Sequence, residues 1–264
     1  MNLLMYLILG IIQGFTEPIP VSSSGHLVIF ESLLNIGTIN DLNFEIFVNF
    51  GSFIAIFYYY RKEIYDIILD FFSYIKYKDK KYKVNYNYAW LIIIATIPAG
   101  IVGLVFKNKI ESLTSIKLVG ISLLITALML FLVKDLKGKK EKENMTIMDA
   151  LVVGLFQVIA LFPGISRSGS TLVGGLSRKL SRTCAFKFSF MLYLPISIAT
   201  MILSLKDILS FDKSLIMPYT LGMVSATIVT YYSIQWFKNI LEKGKIKYFV
   251  YYCLIVGLIT ILFL

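Results

Sequence analysis

Between Gln13 and His26 the chain gathers an amide, the Glu17 carboxylate, three consecutive hydroxyls (Ser22, Ser23, Ser24) and its single histidine. Gln13 and Glu17 are four residues apart, so a helix stacks them on one face. A carboxylate beside an amide oxygen is donor chemistry for Mg²⁺ or Ca²⁺, and Mg²⁺ commonly takes one or two carboxylates plus a substrate's phosphate oxygens. The serine run can cap a helix, and a helix start offers free N–H groups and positive dipole to phosphate. A second cluster runs Pro163, Gly164, Ile165, Ser166, Arg167, Ser168, Gly169, Ser170, Thr171 and sets a guanidinium among hydroxyls at another helix start. Arginine grips phosphate oxygens bidentately. Two such starts suggest a diphosphate held between them.

Each cluster also has a plainer reading. Glu17 ahead of Pro18 can rest at an interface, His26 can be a satisfied interfacial histidine, and Arg167 can anchor a cytoplasmic turn. Arg178, Lys179 and Arg182 already serve as anchors nearby, which favours a ligand for Arg167. Near-misses narrow the chemistry further. Gly164 to Thr171 has Walker A spacing, but Ser170 stands where that loop needs Lys, so it is no ATP site. Ser24-Gly25-His26 with Ser166-Arg167 approaches the pattern of histidine-dependent lipid phosphatases, yet Val173 stands where their nucleophilic histidine is required. Cys184 and Cys253 form neither a framework nor a metal spacing.

The elements that must position these residues are apolar. Of 264 residues 57% are hydrophobic and only 16% charged, against about 25% charge in a soluble domain, and the mean hydropathy is +0.76. That composition excludes a disordered chain and argues against a soluble single-core enzyme. It predicts an all-α polytopic membrane protein. Met1 to Phe15 has no Lys or Arg and no signal-type cleavage site follows.

A spanning helix needs about 20 apolar residues. Six stretches qualify: 44–60, 88–106, 116–133, 183–205, 215–237 and 247–264. Two others are too short. Leu3 to Phe15 meets Glu17, Pro18 and Pro20, and Ile147 to Phe162 stops at Pro163-Gly164. Each is followed by a Ser/Gly-rich turn and a second short helical piece, the pattern of a re-entrant hairpin. A charge at membrane depth costs roughly 2.5–3.5 kcal/mol on insertion scales, so Glu17 and His26 there require a partner or a cavity.

The two hairpins match at a constant offset: Gly10 with Gly154, Gln13 with Gln157, Ser22 with Ser166, Ser24 with Ser168, Gly25 with Gly169, and later Phe44 with Phe188. The chain therefore reads as one membrane domain of two repeats, 1–134 and 147–264, joined by a basic linker over 135–146. One hairpin plus three spans per repeat forces the second repeat upside down, with broken helices meeting near the midplane. Loops 61–83, 134–142, 178–187 and 238–247 hold twenty of the 26 Lys and Arg; Lys107, Lys109, Lys117, Lys206 and Lys213 mark the other face. The positive-inside rule puts the basic face in the cytoplasm and both termini outside. The +10 net charge then reports topology and anionic lipid rather than nucleic acid.

Taken together, the two motifs resemble the undecaprenyl-diphosphate phosphatase, or bacitracin-resistance, family. Its signatures are Glu/Gln-x-x-x-Glu with a Ser-Ser-x-Gly-His turn, and Pro-Gly-x-Ser-Arg-Ser-x-x-Thr; here they stand as Gln13…Glu17, Ser22 to His26, and Pro163 to Thr171. The likeness spans essentially the whole chain. It implies hydrolysis of a C55 polyprenyl diphosphate to the monophosphate carrier lipid and phosphate, in the bacterial inner membrane, recycling the carrier for peptidoglycan synthesis, with bacitracin resistance as a consequence. By the same resemblance Gln13 and Glu17 match the metal-linked acidic motif. Ser23 and His26 match the catalytic serine and histidine, and Arg167 with Ser166, Ser168 and Thr171 matches the phosphate-binding turn. Ser22 and Ser24 flank the serine. One departure is Gln13 where many members have Glu, which shifts the essential negative charge onto Glu17.

The expected chemistry is phosphoryl transfer assisted by a divalent cation, Mg²⁺ or Ca²⁺, with the nucleophile open among Ser23, His26 and water. The expected partners are the polyprenyl diphosphate and membrane lipids, with room for a homodimer and no nucleic acid. The rival reading is a transporter or flippase of polyprenyl phosphate, since inverted repeats with broken helices serve transport as well. A scaffold subunit would leave Glu17, His26 and Arg167 without a purpose.

Overall fold

The computed structural model describes residues 3–34, 42–204 and 212–264, and within them every regular element is helical. Lys206 lies outside the described residues. The first hairpin is α1 (Leu3–Thr16) and α2 (Ser23–Leu33), followed by α3 (Leu42–Tyr77), α4 (Lys83–Glu111) and α5 (Ile116–Val133). The second is α6 (Ile147–Ile159) and α7 (Arg167–Ser177), followed by α8 (Arg182–Leu203), α9 (Ile216–Glu242) and α10 (Lys247–Phe263).

Local chemistry sets the breaks. Pro18 and Pro20 lack amide donors and end α1, and Ser22 caps α2 by accepting from the Gly25 N–H at 3.2 Å. In the second hairpin Gly164, at φ +82°, makes the turn. There Ser166 caps α7 by accepting from the Gly169 N–H at 3.1 Å. The two hairpins therefore begin their second helices with the same serine–glycine device.

Among the described residues four helical stretches are long and apolar enough to cross a membrane: Lys80–Phe106, Ile116–Val133, Arg182–Leu203 and Lys213–Glu242. The other two expected stretches fall in helices of different length. Residues 44–60 belong to the 36-residue α3, whose helix runs on through Arg61 to Tyr77 where a basic loop was expected. Its distal part is held against α4 by the Asn85 amide donating to Asp70 at 2.6 Å and by Phe71 stacked on Tyr86. Of residues 247–264, all but Leu264 lie in α10, which has 17 residues.

The short first helices do not pack chiefly on their nearest neighbours in sequence. α1 packs on α9, and α6 packs on α4, while α5 and α10 pack on each other. Glycines permit these approaches. A Cβ on Gly10 would stand 2.3 Å from the Gly222 carbonyl oxygen, and one on Gly154 would stand 2.5 Å from that of Ala95. Gly120 and Gly257 face one another's carbonyls where α5 packs on α10.

The linker is bound down. Lys139 and Lys140 N–H groups donate to the Lys179 carbonyl, and Ser181 N–H donates back to Lys140. Asp149, fully buried, accepts from Lys140 at 3.0 Å and Arg178 at 2.9 Å and closes a capping box with Thr146. The exit of the second hairpin is thereby fixed to the start of α6.

Candidate active site

The two hairpin turns meet. Arg167, the first residue of α7, reaches across to Glu17 in the turn after α1, and its Nη2 pairs with Glu17 Oε1. Ser23, the first residue of α2, donates its hydroxyl to the other carboxylate oxygen, Oε2. Gln13 Nε2 also donates to Oε2, at 3.0 Å, as its four-residue spacing requires. Ser168 Oγ donates to the Ile19 carbonyl at 2.9 Å and ties the second turn to the first. Glu17 is 6% exposed and Gln13 fully buried, and the carboxylate's charge is met by one guanidinium and two neutral donors.

A cavity of about 140 Å³ opens over this pair. Glu17, Ser22, Ser23, Ser24, Ser166, Arg167 and Ser168 line it, as do Glu45 and Asn49 of α3, with Ala160 and Ile165 supplying an apolar side. The sequence-predicted residues Gln13, Glu17, Ser22, Ser23, Ser24, Ser166, Arg167 and Ser168 are thus brought together around one space or bonded to its wall. Three candidates stand outside the lining: Gln13, which reaches it only through its bond to Glu17, and Thr171 and His26. Thr171 is turned into the protein, 2.5 Å from Ser189 Oγ and donating to the Arg167 carbonyl at 2.9 Å. His26 lies behind the turn, buried, with Nδ1 2.7 Å from the Ser22 carbonyl and Nε2 2.8 Å from the Tyr252 hydroxyl.

Three contributors were not singled out from the sequence. Asn49 Oδ1 accepts from Gln13 Nε2 at 2.9 Å, and the Asn49 carbonyl accepts from the Tyr193 hydroxyl at 3.0 Å. Tyr193 lies beneath the Arg167 guanidinium, 3.8 Å from ring centroid to Cζ, a cation–π contact that sets the plane of the fork. Glu45 is the third. Glu45 and Asn49 carried a signal, since they are polar residues four apart within an apolar run, the same pattern that marked Gln13 and Glu17.

This arrangement has the parts of a phosphoryl-transfer site: a hydroxyl already bonded to a carboxylate, an arginine, and serine hydroxyls at two helix starts facing one cavity. The sequence profile described as "Bacitracin resistance protein BacA" matches residues 6–259. The chain belongs to the BacA family. Among BacA relatives, "Undecaprenyl-diphosphatase 1" of Bacillus cereus is 43% identical over 264 residues, covering 99% of this chain and 97% of that protein. "Undecaprenyl-diphosphatase 1" of Bacillus licheniformis is 40% identical, covering 99% and 98%. "Undecaprenyl-diphosphatase" of Oceanobacillus iheyensis is 40% identical, covering 98% and 96%.

Proposed function

We propose that the chain is a polyprenyl-diphosphate phosphatase that releases phosphate from undecaprenyl diphosphate and returns the monophosphate carrier to cell-wall synthesis. The observation that carries this reading is the junction at Glu17, where a serine hydroxyl from one hairpin and an arginine from the other meet on one carboxylate beside a polar cavity. The family of the chain and the names of its relatives point the same way.

The terminal phosphate enters between Arg167 and the serine hydroxyls, and the lipid tail lies over apolar helix faces. Ser23 Oγ attacks phosphorus in line while its proton passes to Glu17 Oε2, the oxygen it already faces. The bond from phosphorus to the bridging oxygen breaks, and undecaprenyl monophosphate leaves. Water then attacks the phosphoserine: the bond from phosphorus to Ser23 Oγ breaks as Glu17 returns its proton to that oxygen, and the water's protons leave on the released phosphate. Arg167 holds the phosphate oxygens as charge builds on them.

The donors around the cavity also fit a hard divalent cation. Glu17, Glu45 and Asn49 offer oxygen, and Gln13 Oε1 is buried without a hydrogen-bond partner among the described residues. Among those residues no group of three His, Cys, Asp or Glu could hold an ion, so phosphate oxygens would complete the shell, as Mg²⁺ usually requires. Bound there, the ion would neutralise phosphate charge.

In this reading the six apolar stretches span a bacterial inner membrane, the hairpins are re-entrant, and the two repeats are inverted with both termini outside. The exchange of α1 onto α9 and of α6 onto α4 supports a twofold relation between repeats. The test is phosphate release from undecaprenyl diphosphate by purified protein in detergent with Mg²⁺ or Ca²⁺. Release without any membrane gradient is expected. Intact substrate binding with no release under either metal would overturn the assignment.

A further inference from the structure

His26 is the chain's one histidine, sits three residues after Ser23, and is the natural suspect for the serine's base. Its surroundings say otherwise. Nδ1 is 2.7 Å from the Ser22 carbonyl, and a carbonyl only accepts, so Nδ1 carries hydrogen. In the neutral ring Nε2 is then the acceptor, and it is occupied by the Tyr252 hydroxyl at 2.8 Å. Tyr252 comes from α10, at the far end of the chain, and stacks on the imidazole at 5.5 Å with the rings 13° apart. Neither ring nitrogen is left to take a proton from Ser23, whose hydroxyl instead faces Glu17.

What His26 does hold is a strained residue. Ser22 has φ 67° and ψ 93°, in the region where a side chain is disfavoured and which persists only when its surroundings over-determine it. Three bonds do so: the His26 ring and the His26 N–H both donate to the Ser22 carbonyl, and the Gly25 N–H donates to the Ser22 hydroxyl. This turn aims the next residue, Ser23, at Glu17.

We propose that His26 and Tyr252 form a positioning pair: they lock the strained Ser22 turn that presents Ser23 to Glu17, and Glu17 alone receives the Ser23 proton. The inference rests on the phosphatase reading above. Protonation of His26 leaves the lock closed, because Nδ1 still donates to Ser22 and Nε2–H then donates to the Tyr252 oxygen. Loss of the ring misplaces the serine, and a displacement of about 1 Å near the chemistry can cost roughly a hundredfold.

The experiment compares wild type with His26→Ala, His26→Asn, His26→Gln and Tyr252→Phe in detergent. Phosphate release from undecaprenyl diphosphate is measured with Mg²⁺ across pH 5 to 8, alongside thermal melting. His26→Ala is expected to lose about a hundredfold in kcat. His26→Asn places an amide N–H near the position of Nδ1 and is expected to recover to within about tenfold of wild type. Its pH profile should superimpose on the wild-type profile after scaling. His26→Gln, whose amide sits nearer the position of Nε2, should not recover. Tyr252→Phe should lose activity without a change in profile shape. His26→Asn as inactive as His26→Ala while melting like wild type would overturn the proposal, as would loss of a profile limb in His26→Asn. If the His26 variants do not fold, Tyr252→Phe decides: full wild-type activity would overturn the pair. Wild-type protein releasing no phosphate would instead remove the phosphatase reading, and this inference with it.

Discussion

Glu17 has a different obligation at each of its two oxygens, and that division makes its replacements informative. Glu17→Gln keeps the shape but removes the charge that holds Arg167 and the base that faces Ser23. Arg167→Ala leaves a buried carboxylate without its counter-charge, a change that typically costs about 3–5 kcal/mol. Each is expected to lower turnover at least about a hundredfold, and Arg167→Ala alone should also lower the melting temperature markedly. Phosphate release and thermal melting of the two variants check this; wild-type rates in folded protein would remove the residue from the site. Gln13, Glu17, Ser23 and Arg167 were legible because a polar residue in an apolar run must be explained locally. Tyr193 and Tyr252 were not, because an aromatic in such a run is ordinary until its hydroxyl and ring are found against Asn49, Arg167 and His26. Those partners are distant in sequence, and only packing joins them.

At the scale of elements, breaks were easier to read than lengths. Proline ends α1, serine starts α2 and α7, and Gly164 turns the chain between α6 and α7, each through its own backbone chemistry. The reach of α3 depends on α4 lying beside it, where the Asp70–Asn85 bond and the Phe71–Tyr86 stack extend a helix that charge alone would have ended as a loop. Which helix each hairpin packs on was equally hidden, although its signature is a pair of glycines at matching positions. Gly10→Ala and Gly154→Ala would each drive a methyl into a neighbouring backbone, and overpacking of this kind costs about 1–3 kcal/mol. Gly100 in α4 is the control, since a Cβ there meets nothing within 4 Å. Gly100→Ala is expected to be neutral or to stabilise by about 0.4–1 kcal/mol. Thermal unfolding in one detergent separates the three; equal melting temperatures for Gly10→Ala and Gly100→Ala would refute close packing of α1 on α9.

At the scale of the whole molecule, charge and packing bear on the same question. Twenty of 26 basic residues fall in four segments that an inverted pair of repeats would bring to one face. The packing exchange of α1 and α6 onto the opposite repeat's helices is what a twofold axis in the membrane plane would produce. Under that arrangement equivalent connections lie on opposite sides. The α3–α4 turn corresponds to the α8–α9 connection, and the α4–α5 turn corresponds to the α9–α10 turn. Single cysteines at Lys78 and Lys243 should therefore react with an impermeant maleimide only from the cytoplasmic face, and those at Ser112 and Ser214 only from outside. All four positions are exposed, whereas Cys184 and Cys253 are buried and contribute little background. Labelling in right-side-out and inside-out vesicles gives the answer. Lys78→Cys and Ser214→Cys reacting from the same side would mean parallel repeats, and the two serine-capped helix starts would then no longer approach the shared carboxylate from opposite leaflets.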